Sequence, residues 1–408
     1  MPHRPVPTPL SRRAALLGAT AVGVSLGAAG CAPLERLPAV PAARRTEATV
    51  LGLPNERFFP TTAEGQTGLE REFVAAVERL NISRGGRPGG PMPQLDLLGI
   101  SGGGDDGAFG AGVLNGWTER GGRPEFFLVT GVSTGALSAP FAFLGPAWDG
   151  ALKSVYTDIT LAQVARERFL TAAYFSDGMA DNTPLFETIS RYMDERMLRA
   201  IGAAHTRGRL LLIGSTNLDA DRPVIWNVGA IAASGHPRAL DTIRRLLLAS
   251  AAIPGAFSPV LFDVTVDGER FQELHVDGGA FAQVFLYPAS VGNLRRERMA
   301  RRLPTAPARA WVIRNARLES PGGQVERRTI GVAGRAVSAM IFASGYSDVF
   351  RIYSATQRDH VGFNLAFIGS DFELPYVGPF SQAYMRPLFE YGRQRALAGT
   401  AWVDRPPA

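Results

Sequence analysis

Two short apolar runs, Leu95-Asp96-Leu97-Leu98-Gly99-Ile100 and Phe126-Phe127-Leu128-Val129-Thr130, each enter a glycine-rich turn that opens a helical segment. Runs of this length bounded by glycine predict buried strands. Leu210 to Gly214 and Val224 to Asn227 flank the turn-rich stretch Asn217 to Pro223 and predict paired strands. Val260 to Val266 and Phe271 to Val276 enclose Asp267-Gly268, a hairpin signal, and the second strand ends in Asp277-Gly278-Gly279. Ala310 to Ile313 and Phe363 to Ile368 predict two further strands. Helical spacing marks Leu69, Phe73, Val77 and Leu80, then Phe186, Ile189, Met193, Met197 and Ile201 as one helix. The methionine-bearing stripe of that helix reads as core. Further helices are expected over Leu240 to Ala252, after Ile313 through Met340, and from Gln382 to Leu397. Strands alternating with helices around glycine turns predict a mixed α/β fold with a mostly parallel central sheet.

Composition changes this picture little. Hydrophobic residues at 46% and charged residues at 20% fit one large or two modest globular domains. The net charge of +6 falls to +3 once Arg4, Arg12 and Arg13 of the leader are set aside. No arginine cluster is interleaved with aromatics, so nucleic acid is not an expected partner.

The N-terminus is more informative. Arg12-Arg13 precede a small-residue apolar run, Ala14 to Gly30, that ends at Cys31, the only cysteine. That is the layout of a secretory signal, with a resemblance to twin-arginine export signals. Leu26-Gly27-Ala28-Ala29-Gly30-Cys31 resembles a lipoprotein processing site, with Ala28 where that pattern usually has leucine. Cys31 would then be the lipid attachment point and anchor the chain to a membrane; the alternative is a plain secretory signal with an incidental cysteine. The expected organisation is a signal over 1–30, a Pro/Ala-rich tether over 31–60, a helix and linker over 61–93 packing on the core, a main domain over 94–400, and a tail over 401–408. Tyr174 to Met179 has the composition of a mobile segment.

The candidate chemistry sits at the turns. Gly131-Val132-Ser133-Thr134-Gly135 places a serine at the centre of G-x-S-x-G, where glycines permit a strained strand-to-helix elbow that exposes the hydroxyl. The first turn, Gly102-Gly103-Gly104-Asp105-Asp106-Gly107, offers backbone N–H groups at a helix start, suited to an oxyanion. The same glycines satisfy G-x-G-x-x-G, but no acidic residue ends the next strand to hold a ribose, so a dinucleotide site is disfavoured. A serine nucleophile needs a base. His360 is the candidate for a Ser-His-Asp arrangement in α/β-hydrolase order. Asp277, at a strand end before two glycines, is the candidate for a Ser-Asp dyad, and a turn-capping aspartate is the plainer reading of it.

Together, the glycine-rich loop, the Ser133 elbow and Asp277-Gly278-Gly279, in this order over residues 95 to 290, resemble the patatin-like phospholipase family. Ser250-Ala251-Ala252-Ile253-Pro254 and Phe257-Ser258-Pro259-Val260 resemble its helix end ahead of the aspartate hairpin. Tyr384-Met385 and Phe389 to Gly392 are similar to bacterial members that are exported lipoproteins. The resemblance implies a three-layer α/β/α fold and a Ser133–Asp277 dyad without histidine. It also implies an oxyanion hole at Gly102, Gly103 and Gly104, with Gly107, Gly131, Gly135, Gly278 and Gly279 supporting the motifs. The implied activity is hydrolysis of lipid carboxylic esters, of phospholipase A, lysophospholipase or esterase type, through an acyl-enzyme and without metal or organic cofactor.

One position departs from the pattern. Asp106 stands where the family usually has arginine or lysine, and a carboxylate there would oppose an oxyanion unless it turns away to cap the following helix. Asp106 also keeps open a non-catalytic envelope lipoprotein that binds acyl chains in a degenerate pocket. The expected location is the cell envelope, at the outer membrane or facing the periplasm.

Overall fold

The computed structural model describes residues 35–87, 92–167, 178–319, 322, 325 and 328–407. The leader, Cys31 and most of the 174–179 segment lie outside the described residues. The strands are β1 (Arg57–Phe58), β2 (Leu95–Ile100), β3 (Leu128–Val132), β4 (Arg166–Glu167), β5 (Ala180–Asp181), β6 (Leu210–Asn217), β7 (Arg222–Asn227), β8 (Val260–Val266), β9 (Glu269–Asp277), β10 (Ala308–Arg314) and β11 (Gly362–Phe367). The helices are α1 (Ala63–Ser83), α2 (Gly107–Arg120), α3 (Thr134–Leu144), α4 (Asp149–Thr157), α5 (Thr183–Tyr192), α6 (Glu195–Thr206), α7 (Val228–Ala233), α8 (Ala239–Ser250), α9 (Ala289–Ala300), α10 (Thr329–Arg358) and α11 (Gln382–Ala398).

The main sheet runs β1-β7-β6-β3-β2-β10-β11. Its five central strands, β6 to β11 in that order, are parallel, while β7 and the β8–β9 hairpin add antiparallel to β6. β2, β3 and β6 are buried at every position, as continuous apolar runs require when helices cover both faces. Side chains alternate between the faces. Leu98, Ile100, Val129 and Leu211 join one core with α2, α3 and α8, and Leu95, Leu97, Leu128 and Leu212 join a second core with α1. The result is a three-layer α/β/α arrangement.

Helix α2 carries glycines where another helix comes close. A Cβ at Gly112 would lie 1.9 Å from the Phe389 carbonyl oxygen of α11, and one at Gly392 of α11 would lie 2.4 Å from the Phe109 carbonyl oxygen. Any side chain at these positions would force the two helices apart.

Several boundaries differ from the sequence expectation. The single helix expected over Phe186 to Ile201 is two, because the Asp194 side chain accepts the Met197 N–H at 2.8 Å and starts α6 afresh. The helix expected to run through Met340 continues to Arg358. The described part of the 31–60 stretch is packed structure rather than a tether. Val40, Val50 and Phe59 are buried, Glu56 accepts the Val50 and Leu51 N–H groups, and β1 pairs with β7. The tail also packs, since Val403 pairs with Leu365 of β11 and Trp402 lies against Trp117 and Trp311. These segments add to an existing sheet and core, and their own patterns are too short to announce it.

Candidate active site

The candidate groups gather at the C-terminal end of the parallel strands. β3 ends at Val132, and Ser133 adopts φ 56° and ψ −127° before α3 begins. A non-glycine residue holds such a backbone only where its surroundings enforce it. Here a Cβ at Gly131 would lie 2.4 Å from the Gly135 carbonyl oxygen, and one at Gly135 would lie 2.2 Å from that of Ile100. Glycines on both sides of the serine let the elbow close against β2. The Ser133 N–H donates to Ser250 Oγ at 3.1 Å, and Ser250 Oγ donates to the Gly214 carbonyl at 2.6 Å. Tyr156 braces the first turn of α3, with its hydroxyl 2.6 Å from Thr134 Oγ1 and 2.8 Å from Ser138 Oγ.

Asp277 ends β9, whose partner Ser215 lies on β6 one residue beyond Gly214. Its Oδ1 accepts the Gly279 N–H at 2.7 Å, so the turn-capping role read from the sequence is present. Its Oδ2 is buried and makes no hydrogen bond. Burial pushes the carboxyl up to about 6, while the nearby Ser133 hydroxyl and the Gly279 N–H act in the opposite direction. The Ser133 hydroxyl thus lies near the carboxylate, and no hydrogen bond closes on Oδ2. The Asp277 N–H donates to the Ala252 carbonyl at 2.9 Å, so the end of α8 fixes both Ser133 and Asp277.

The glycine loop lies beside them. A Cβ at Gly102 would lie 3.2 Å from Ser133 Cβ, and one at Gly103 would meet the Asn315 carbonyl oxygen at 2.0 Å. The Gly102 N–H is engaged, donating to the Gln283 carbonyl at 3.0 Å. This corrects the expectation for Gly102: it packs against the serine, and its N–H does not face an oxyanion. The N–H groups of Gly103, Gly104 and Thr134 have no acceptor among the described residues. Gly107 has no room for a side chain, since a Cβ there would meet Thr134 Oγ1 at 2.4 Å. The same holds for Gly278 against the Gly214 carbonyl oxygen at 2.6 Å, and for Gly279 against Gln283 Nε2 at 2.5 Å.

Asp106 does not cap α2. It occupies the cap position without a side-chain hydrogen bond to the helix, and its carboxylate accepts the Tyr384 hydroxyl of α11 at 2.8 Å. Burial raises its pKa to about 6, against the Tyr384 hydrogen bond and the charges of Arg317 and Arg314. The carboxylate is thus held by a different partner than the sequence suggests.

Neither remaining histidine near this topology serves Ser133. His360 follows α10 and precedes β11, which places it at the N-terminal end of the parallel strands. Ser133 lies at their C-terminal end, the length of a six-residue strand away, roughly 20 Å. His275 is buried on β9 with Nδ1 2.9 Å from Ser215 Oγ and Nε2 3.1 Å from Glu273. Both its ring nitrogens are occupied.

An apolar cavity of ≈ 250 Å³ opens at Ser133, with Gly104 and Thr134 in its wall. Leu137, Phe141, Ile189, Met193, Tyr376 and Phe380 line it. Met193 and Met197 are buried, as the core reading of their stripe required, and they also line this cavity. Sequence reasoning missed Gln283, Ser250, Tyr156 and Tyr384 as members of the site. Of these, Ser250 and Tyr384 had a signal, their places in the Ser250-to-Pro254 segment and in Tyr384-Met385. Gln283 ties the loop to the aspartate turn: its carbonyl accepts the Gly102 N–H, and its Nε2 donates to the Gly279 carbonyl at 3.0 Å.

Residues 98–290 match the family model described as Patatin-like phospholipase. Over this segment the chain is similar to that family, whose members are lipid acyl hydrolases. Among solved structures the chain is similar to VipD from Legionella pneumophila, at 12% identity over 76% of this chain and 67% of that one, with a TM-score of 0.35. No curated protein matches the chain.

Proposed function

We propose that this protein is a serine acyl hydrolase that cleaves carboxylic esters of lipids through a Ser133–Asp277 dyad. The observation that carries the reading is the buried Asp277 carboxylate, its Oδ2 without a hydrogen-bond partner, close to a Ser133 that opens onto an apolar cavity. Ser133 Oγ attacks the ester carbonyl as its proton passes to Asp277. The N–H groups of Gly103, Gly104 and Thr134 receive the oxyanion. Collapse of the tetrahedral species expels the alcohol, which takes the proton from Asp277. Water then attacks the acyl-enzyme with Asp277 again as base, releasing the carboxylic acid and restoring the serine. The raised pKa of Asp277 brings the carboxylate closer to the working pH of a general base.

The cavity lining suits an acyl chain, and Asp106, held by Tyr384, is kept off the oxyanion. The leader supports export with lipid attachment at Cys31, which labelled-palmitate incorporation by intact chain but not Cys31→Ala would establish. The test of the activity compares hydrolysis of a short chromogenic ester and of a phospholipid by wild type, Ser133→Ala and Asp277→Ala. Turnover lost in both variants is expected. Equal turnover in all three proteins overturns the dyad. If wild type is as silent as Ser133→Ala, rescue by Asp106→Arg would mark a degenerate enzyme, and continued silence would favour a lipid-binding protein.

A further inference from the structure

Two turns far apart in the chain have to hold one geometry: Gly102 to Gly104, beside Ser133, and Asp277 to Gly279, which carries the base. Gln283 touches both. Its carbonyl accepts the Gly102 N–H at 3.0 Å, and its Nε2 donates to the Gly279 carbonyl at 3.0 Å. Its side chain also fills the space between them: a Cβ at Gly102 would lie 3.0 Å from Gln283 Oε1, and one at Gly279 would lie 2.5 Å from Nε2. Gly279 in turn donates its N–H to Asp277 Oδ1 at 2.7 Å. A single buried side chain and its own peptide carbonyl therefore meet the residue before the free loop N–H groups and the residue that grips the carboxylate.

Gln283 is itself held, from an element outside the site. Helix α10 packs closely over the end of β10, because Gly345 leaves room for the Arg314 guanidinium: a Cβ there would lie 2.4 Å from Cζ. Asp348 follows three residues later, on the same side of the helix, and Val349 and Ile352 bury that turn in the core beside α1. Asp348 Oδ2 accepts the Gln283 N–H at 2.7 Å and the Val284 N–H at 3.3 Å. Its Oδ1 accepts from Arg351 at 2.8 Å, and the buried Arg314 interacts with it through charge. Hydrogen bonds to a carboxylate are roughly twice as strong as neutral ones, so this is a firm grip on one peptide. Gln283 is thus fixed at its N–H by Asp348 and passes that fixed position on through its carbonyl and its amide.

We propose that Asp348 is a positioning residue for acyl transfer, acting through Gln283 to keep the oxyanion loop and the aspartate turn in register. This rests on the acyl hydrolase reading for its purpose, while the link from Asp348 to the two turns stands without it. Preorganised donors lose their effect when displaced, and a 1 Å error set by a distant residue can cost about 10²-fold in rate.

The test compares the full chain with Asp348→Ala, Asp348→Asn and Gln283→Ala, and with Glu56→Ala as a control. Glu56 is as buried as Asp348 and also accepts two backbone N–H groups, but it braces the N-terminal stretch. Asp348→Ala is expected to lower kcat on a short soluble ester roughly 10- to 100-fold with little change in KM. Asp348→Asn, which keeps an oxygen for the Gln283 N–H, is expected to recover kcat to within about threefold of wild type. Gln283→Ala removes only the arm to Gly279. The Gly279 N–H holds the Asp277 pKa down against burial, so this variant is expected to move the acid limb of kcat/KM to higher pH. Glu56→Ala is expected to lower the melting temperature and to leave kcat and the pH profile unchanged. Amide hydrogen exchange supplies a readout that needs no turnover. At Gly102 and Gly279, which Asp348 does not touch, exchange is expected to quicken at least tenfold in Asp348→Ala and to stay at the wild-type rate in Glu56→Ala.

The proposal is overturned if Asp348→Ala leaves both kcat and the exchange of these two amides as in wild type. It is equally overturned if Asp348→Asn is as impaired as Asp348→Ala, or if Glu56→Ala reproduces the loss of kcat. Absent turnover of every ester in wild type, with exchange altered as expected, would sink the hydrolase reading and leave the link between Asp348 and the two turns standing.

Discussion

Strand β9 carries two buried carboxylates four residues apart, on the same face, in opposite electrostatic states. Glu273 is paired by Arg57 at 2.5 and 3.1 Å and touches His275 Nε2 at 3.1 Å. Burial raises its pKa, but the Arg57 charge and the hydrogen bonds of His275 and Arg57 outweigh burial and hold it at about 2. Asp277 is equally buried and no cation is among its determinants, so burial dominates and pushes it to about 6. The same burial makes one carboxylate a permanent ion and the other a group whose charge is costly. The paired one braces the N-terminal stretch against the β8–β9 hairpin through Arg57. The unpaired one is the base of the proposed dyad. Burial alone does not mark a functional acid; under the proposed mechanism it is burial without a compensating cation, beside Ser133, that suits Asp277 to the role of base.

The contrast can be broken most sharply by removing each carboxylate in turn. Asp277→Ala is expected to lower ester turnover roughly 10³- to 10⁴-fold, as loss of a general base does, with kcat falling more than KM rises. Glu273→Ala is expected to act on stability instead, by about 3–5 kcal/mol in chemical denaturation, because Arg57 is left buried and unpaired. A Glu273 variant that folds normally yet loses turnover would dissolve the distinction.

Proton linkage sharpens the comparison, because the two groups have opposite signs. A carboxyl whose folded pKa is raised stabilises the fold below its unfolded pKa, near 3.8, and that contribution is lost as pH rises through about 6. Asp277→Asn is therefore expected to raise stability at pH 8 by about 1–3 kcal/mol while abolishing turnover, with the gain vanishing near pH 4. For Glu273 the sign reverses: its contribution is present above 4.5 and is lost as pH falls toward about 2. Melting temperatures of the two variants across pH 3 to 8 separate these cases. In wild type, kcat/KM is expected to fall below an apparent pKa near 6 as Asp277 is protonated. The smallest expected effect is that of Tyr384→Phe. Loss of the donor to Asp106 is expected to destabilise by about 1 kcal/mol and to leave turnover at pH 8 within threefold. A larger loss of turnover would mean that the Asp106 carboxylate swings toward the loop N–H groups once released.

The sequence by itself determined the strand and helix pattern and the three glycine-bearing turns with Ser133 and Asp277. Strand runs and G-x-S-x-G are local, because buried strands need consecutive apolar residues and a tight elbow needs glycine on both sides. The hairpin at Asp267-Gly268 was legible for the same reason. What lies between distant residues was decided only by the tertiary structure. The Gly102 N–H is taken by Gln283, 181 residues along the chain from it, and Asp106 turns to Tyr384, 278 residues away. His360, the plausible base by chain order, stands at the wrong end of the sheet because strand direction, not order, places it. The orphaned oxygen of Asp277 is likewise a property of what packs around β9. A residue type and its neighbours specify what a side chain can do; the long-range packing around it sets its charge and its partner.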